Sequence, residues 1–112
     1  MDKPGHYRNL IRKTLIEHCQ LANKSSSTVE TITVFDEQSD NYLLIQMGWK
    51  LDKRIKNTTL HVRLLNHKIW IEEDWTEQGV VTDFIDLGVP DSDLVLAFHP
   101  PHLRQYTDFA IA

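Results

Sequence analysis

Between Thr28 and Glu73 the chain carries four strand-like runs joined by three short connections, and this spacing constrains the fold more than any other feature. A parallel crossover needs a dozen or more residues, so consecutive strands so closely joined must pair antiparallel, as a meander. Thr28 to Phe35 is β-branched and partly alternating, and Asp36 to Asn41 is a polar turn. Tyr42 to Leu51 places Tyr42, Leu44 and Gln46 on one face and Leu43, Ile45, Met47 and Trp49 on the other. Gly48 within it marks a bulge or a close backbone approach. Asp52 to Asn57 reads as a basic turn, Thr58 to Leu65 as the third strand, and Asn66-His67 as a tight connection into Lys68 to Glu73.

Helical signals flank the meander. Residues 2 to 23 repeat Tyr7, Leu10, Ile11, Thr14, Leu15, His18, Cys19 and Ala22 at spacings of three and four, the stripe of an amphipathic helix. Asp2 can cap it, and Pro4 is tolerated in the first turn, where no intrahelical amide bond is lost. Its other face, with Arg8, Arg12, Lys13, Glu17 and Gln20, reads as solvated, and Asn23 to Ser27 forms a polar connection. From about Thr76 the apolar spacing turns helical again through Val80, Val81, Phe84, Ile85 and Leu87. Asp74 and Glu77 have the spacing of a capping box, and Gly88 with Pro90 stops the helix. Leu94 to Phe98 suggests a fifth strand, and Leu103 to Phe109 a helical turn docking through Leu103, Tyr106 and Phe109. The expected architecture is one α+β domain over residues 1–112 with both helices on the same sheet face. The opposite face keeps Trp49, Leu65 and Tyr42 or their alternates, and an apolar patch of that kind marks an interface.

Composition narrows the function classes. At 112 residues one modest core is expected, and no apolar run approaches the ~20 residues of a membrane span. The start has no apolar h-region, so a cytoplasmic protein without a signal peptide is expected. The single cysteine, Cys19, has no cysteine partner and reads as a small buried residue on a helix face. A net charge of −4 disfavours general nucleic-acid binding, but the charge is polarised. Residues 1–68 hold eleven Lys/Arg against seven Asp/Glu, and residues 69–112 hold one against nine. If the halves segregate in space, such polarity favours self-association or a charged partner; if they interleave, the charges mix.

Few residues invite chemistry. Among six histidines only His99 and His102 stand close, separated by two prolines, and no H-E-x-x-H or C-x-x-C appears. Glu72, Glu73, Asp74 and Glu77 could form a cation cluster, yet strand alternation sends neighbouring carboxylates to opposite faces, and a solvated acidic corner with a helix cap explains them. No nucleophile elbow or phosphate loop is present. No catalytic, cofactor-binding or metal residues are therefore assigned. For nucleic acid the candidate contacts are Lys50, Lys53, Arg54, Lys56 and Arg63 near Trp49, on a hairpin able to enter a groove. Basic hairpins also serve simply to prevent edge-to-edge aggregation.

Several blocks together resemble the XisI family, small cyanobacterial proteins named as controlling factors for excision of the fdxN element. They are Tyr7, Leu10-Ile11 and Leu15; Tyr42 through Gly48-Trp49; Lys68 to Ile71 followed by Asp74 to Glu77; and Gly88-Val89-Pro90 with Asp93 to Pro101, Arg104, Thr107, Phe109 and Ala110. Asn66-His67 departs from the Asp-Gly type turn more frequent in the family. The resemblance covers essentially the whole chain and implies a regulatory protein, with no catalytic residues to carry over. XisI-like proteins are encoded beside XisH-like proteins, which resemble a nuclease fold, and the pair is thought to assist a site-specific recombinase. The resulting expectation is a non-catalytic factor that binds an XisH-like partner, with Trp49, Glu72, Glu73, Asp74, Trp75 and Glu77 as the candidate interface. Direct DNA binding through residues 50–63 is the alternative, and a small metal-dependent hydrolase using His99, His102 and the acidic corner is a third reading. Self-association into a homodimer is also expected from the exposed patch.

Overall fold

A computed structural model describes residues 3–25 and 27–112. Helix α1 (Lys3–Ala22) leads into strands β1 (Val29–Asp36), β2 (Asn41–Lys50), β3 (Lys53–Leu65) and β4 (Lys68–Asp74); α2 (Val80–Asp86) and β5 (Leu94–Leu96) follow. One five-stranded sheet runs in chain order, with β1 to β4 antiparallel as the short connections require. β5 joins β4 in parallel, and the segment containing α2 supplies the long crossover that parallel pairing needs. The proposed cap Asp2 lies outside the described residues.

Both helices cover one sheet face. α1 buries Tyr7, Ile11, Thr14 and Leu15, and α2 buries Val80 and Phe84, against Tyr42 and Leu44 of β2, Leu60, Val62 and Leu64 of β3, and Ile69 and Ile71 of β4. Tyr42 belongs to this core; the opposite face of β2 carries its alternates, Leu43, Ile45 and Met47. The polar side of α1 is not wholly solvated. Arg8 makes a two-pronged bond to Asp40, at 2.7 and 3.0 Å, and Arg12 pairs with Glu37, tying the helix to the β1–β2 turn. Asn23, just past the helix, acts as a one-residue strand: its amide receives the Thr31 N–H at 2.9 Å and donates to the Thr31 carbonyl at 2.8 Å.

Three expectations need correction. The residues read as a basic turn, 52–57, largely belong to β3, and the turn is Leu51-Asp52, with Lys50 facing Lys53. Both sides of this ribbon are polar, so it lacks the apolar alternation that betrays a strand. α2 begins at Val80, not Thr76, because Gly79 at φ 85° breaks the spacing. At the C-terminus, Pro101–Tyr106 is a 3-10 turn in which Leu103 and Tyr106 are exposed; Phe109 alone of the three packs against the core. Arg104 fastens this segment, donating to the carbonyls of His99, Ala97 and Ile111 and lying over the Trp70 ring.

Two backbone details match the sequence. Gly48 is a close approach: a Cβ there would collide with the Thr28 carbonyl oxygen, and the Trp49 N–H donates to that same oxygen at 3.3 Å. Asn66 and His67 both adopt left-handed φ, 54° and 62°, as a tight hairpin connection requires.

Candidate partner and nucleic-acid surfaces

The β2–β3 ribbon projects because β4 pairs with β3 only from Leu60 onward, leaving residues 53–58 bonded to β2 alone. Lys50, Lys53, Arg54 and Lys56 are exposed along it, and Leu51 at the tip is 99% exposed. The Arg54 guanidinium stacks over Trp49 at 5.4 Å, a cation–π contact that stiffens two long side chains into one flat, positively charged surface. Arg63 does not belong to this group. It lies nine residues further along β3, roughly 30 Å away at ~3.3 Å per residue, half-buried and paired with Glu72 at 3.6 Å. Trp49 likewise sits on the ribbon rather than at the acidic corner.

At that corner the carboxylates divide their tasks. A bulge between His61 and Val62 adds one residue to β4 and turns Glu72 toward Arg63. Glu73 accepts the Trp75 ring N–H at 2.7 Å. Asp74 faces inward: Oδ1 accepts the Thr76 N–H at 2.9 Å and Oδ2 accepts the Val80 N–H, the first of α2, at 2.7 Å. The capping-box expectation is thus half right. Asp74 caps the helix, but from six residues away, and Gly79 holds the N-cap position without a side-chain bond. Asp74→Ala is expected to cost about 1–2 kcal/mol, since two amides lose their acceptor; urea denaturation would measure it, and Asp74→Asn should recover part.

With Asp74 fixing the turn, Trp75 projects 75% exposed beside an open groove of about 580 Å³ between the C-terminal end of α1, the start of α2 and the sheet. Glu77 and Gln78 form one lip, Leu21 and Ala22 the other, and Thr31, Gln46 and Thr59 the floor. Across its end His18 Nε2 meets Asp83 Oδ2 at 2.7 Å, clamping α1 to α2. No sequence pattern joins residues 65 apart, so this pair escaped the reading of motifs; its only trace was a polar His18 on the apolar stripe of α1.

The remaining candidates are accounted for locally. Cys19 donates to the Thr31 carbonyl at 3.2 Å, and burial pushes its thiol up, away from the reactive thiolate. His61 is held by Asn41 at 2.9 Å, and burial pushes its pKa down. Among the described residues no group of three or more His, Cys, Asp and Glu gathers to hold a metal, so His99 and His102 are not brought to the acidic corner. Among the described residues no helix is long and apolar enough to cross a membrane.

Charge polarity survives only in part, because Lys3 pairs with Asp93 at 2.8 Å and Arg63 with Glu72, across the two halves. The ribbon keeps its positive charge and the groove lip its negative charge.

The XisI protein family model matches residues 1–111. The fold superposes on the crystal structure of the fdxN element excision controlling factor XisI from Anabaena variabilis ATCC 29413, with 40% identity, 99% of this chain and 100% of that one covered, and a TM-score of 0.87. It also superposes on an XisI-like protein from the same organism, 28% identical, over 97% of this chain and 99% of that one, with a TM-score of 0.91. No curated relative matches the chain.

Proposed function

Because the chain belongs to the XisI family, we propose that it is a controlling factor in excision of a DNA element and works without chemistry of its own, by docking on an XisH-like, nuclease-fold partner. The observation that carries this reading is Trp75. An indole left 75% exposed, braced by Glu73 and set on a turn that Asp74 locks, supplies large contact area at little entropic cost, the profile of an interface anchor. The acidic lip beside it would select a basic surface and speed encounter. The test is co-purification with the XisH-like protein, followed by titration of variants. Trp75→Ala is expected to weaken the complex about 30-fold or more, as loss of a hot-spot aromatic does. Glu77→Lys should slow association in low salt. Neither touches the core, so unchanged binding by both would overturn this interface.

A second reading rests on the stacked Trp49–Arg54 pair at the ribbon: direct DNA contact. It predicts that Arg54→Ala and Lys56→Ala weaken binding of the isolated chain to duplex DNA, each lowering the salt slope by about one. If the isolated chain shifts no DNA in low salt, the ribbon serves another purpose.

A further inference from the structure

The sheet face turned away from the helices is apolar at its centre and charged at its flank in a way that matches itself. Strand registers arrange β1, β2 and β3 there in three rows: Val34, Leu43 and His61; Ile32, Ile45 and Thr58; Glu30, Met47 and Lys56. No helix covers them, since α1 and α2 pack on the other face, and Val34 is 41% exposed. At ~3.4 Å per residue and ~4.8 Å per strand, these nine same-face positions cover on the order of 300 Å², the size at which an exposed patch on a monomer often serves an interface.

We propose that this face packs on the same face of a second copy, with the two-fold axis running along β2. Such an axis preserves position along the strands and exchanges the flanks, so β1 of one copy lies over β3 of the other. Glu30 and Lys56, equally placed on either side of Met47, then face each other twice across the interface. Among the described residues neither has an ion-pair partner within the chain. Leu43, Ile45 and Met47 meet along the axis, giving the aligned sandwich packing expected of two twisted sheets ~10 Å apart. An unrelated partner would need no such symmetry of charge about the apolar centre; a second copy does. Both basic ribbons would emerge at the same end of the dimer, doubling the positive surface there.

Sedimentation equilibrium of the isolated chain from low to high micromolar concentration tests this without any partner, so its outcome is separate from the docking reading above. A monomer–dimer equilibrium is expected. Ile45→Glu should weaken it at least about 100-fold, because two buried charges would meet near the axis. Val34→Glu, at a position already largely exposed, provides the second probe if Ile45→Glu fails to fold. Glu30→Lys and Lys56→Glu should each weaken dimerisation about tenfold, and the double reversal should restore it, which a merely structural role for either residue would not produce. A monomer at every concentration, a dimer indifferent to both glutamates, or a double reversal no better than the single changes would overturn the proposal.

Discussion

Phe84→Ala is expected to cost about 3–5 kcal/mol of folding stability and, with it, the groove. α2 spans only seven residues, Val80–Asp86, too short to hold its shape without tertiary support. Its buried residues are Val80 and Phe84, both with no solvent exposure, and Phe84 belongs to the core cluster that α1 and the sheet share. Truncating that ring leaves a cavity under a helix with one remaining fully buried side chain, Val80. The helix bears Asp83, so the clamp to His18 loosens too, and the wall next to Trp75 loses its position. Two measurements separate the consequences. Urea denaturation should show the loss of stability, while Ile85→Ala, on the exposed side of the same helix at 41%, should cost about 0.5–1 kcal/mol at most. Titration against the XisH-like protein should show Phe84→Ala weakening the complex even below the denaturation midpoint, because the anchor's support, and not the anchor, has been removed. A Phe84→Ala protein as stable as its parent would mean that the core repacks around α2.

What the sequence made legible follows from the reach of each signal. Alternation in β2 and β4 and the stripe on α1 are repeated apolar signals, and they fix the meander and its covered face. Turn residues were read correctly where the backbone demands them, at Gly48 and at Asn66-His67. The failures share a cause. The outer half of β3, Lys53 to Asn57, is held by ladder bonds to β2 with solvent on both sides, so its side chains had no burial pattern to record. α2 was extended four residues too early because Asp74 caps across a loop, a distance no local motif describes. The candidate surfaces were half legible. Charges on the ribbon and at the corner were visible as composition, but Arg63 was placed with the ribbon by sequence proximity, although strand geometry carries it to the far end. The groove was invisible, since it arises where α1 ends, α2 begins and the sheet continues beneath both.

Acidification is expected to destabilise the protein through two carboxylates that its own sequence spacing conceals, Asp93 and Asp40. Tyr7 donates its hydroxyl to Asp93 Oδ2, and Lys3 reaches the same oxygen at 2.8 Å while its ammonium lies 5.7 Å from the Tyr7 ring centre. Burial alone would push the Asp93 carboxyl up; the bonds from Lys3 and Tyr7 and the positive charges of Lys3 and Lys68 outweigh it and hold the group below the usual carboxylate value. At Asp40 the Arg8 bond acts the same way, opposed by burial and assisted by the Tyr42 hydroxyl. A carboxyl whose folded pKa lies below its unfolded one contributes fully above the unfolded value, about 3.9, and loses that contribution as pH falls through the folded one. The contribution of these carboxylates should therefore be flat from neutrality to about pH 5 and drop below about pH 4, while His61, whose burial holds its pKa below the usual value, adds a loss that begins as pH falls through its unfolded value of about 6.5. The alkaline limb has the opposite sign: burial and the Asp40 bond push Tyr42 up to about 12, so its contribution is complete below about pH 10 and fades as pH rises toward 12. Asp93→Ala should cost about 2–4 kcal/mol at neutral pH, because the buried Tyr7 hydroxyl loses its acceptor and Lys3 its partner, and should flatten the acid limb. Tyr7→Phe keeps the ion pair and removes only the hydroxyl, so it should cost about 1 kcal/mol and leave the acid limb largely in place. If Tyr7→Phe flattened the limb as fully as Asp93→Ala, the hydroxyl rather than Lys3 would be the group that keeps Asp93 ionised, and the N-terminal turn of α1 would owe its attachment to the tyrosine alone.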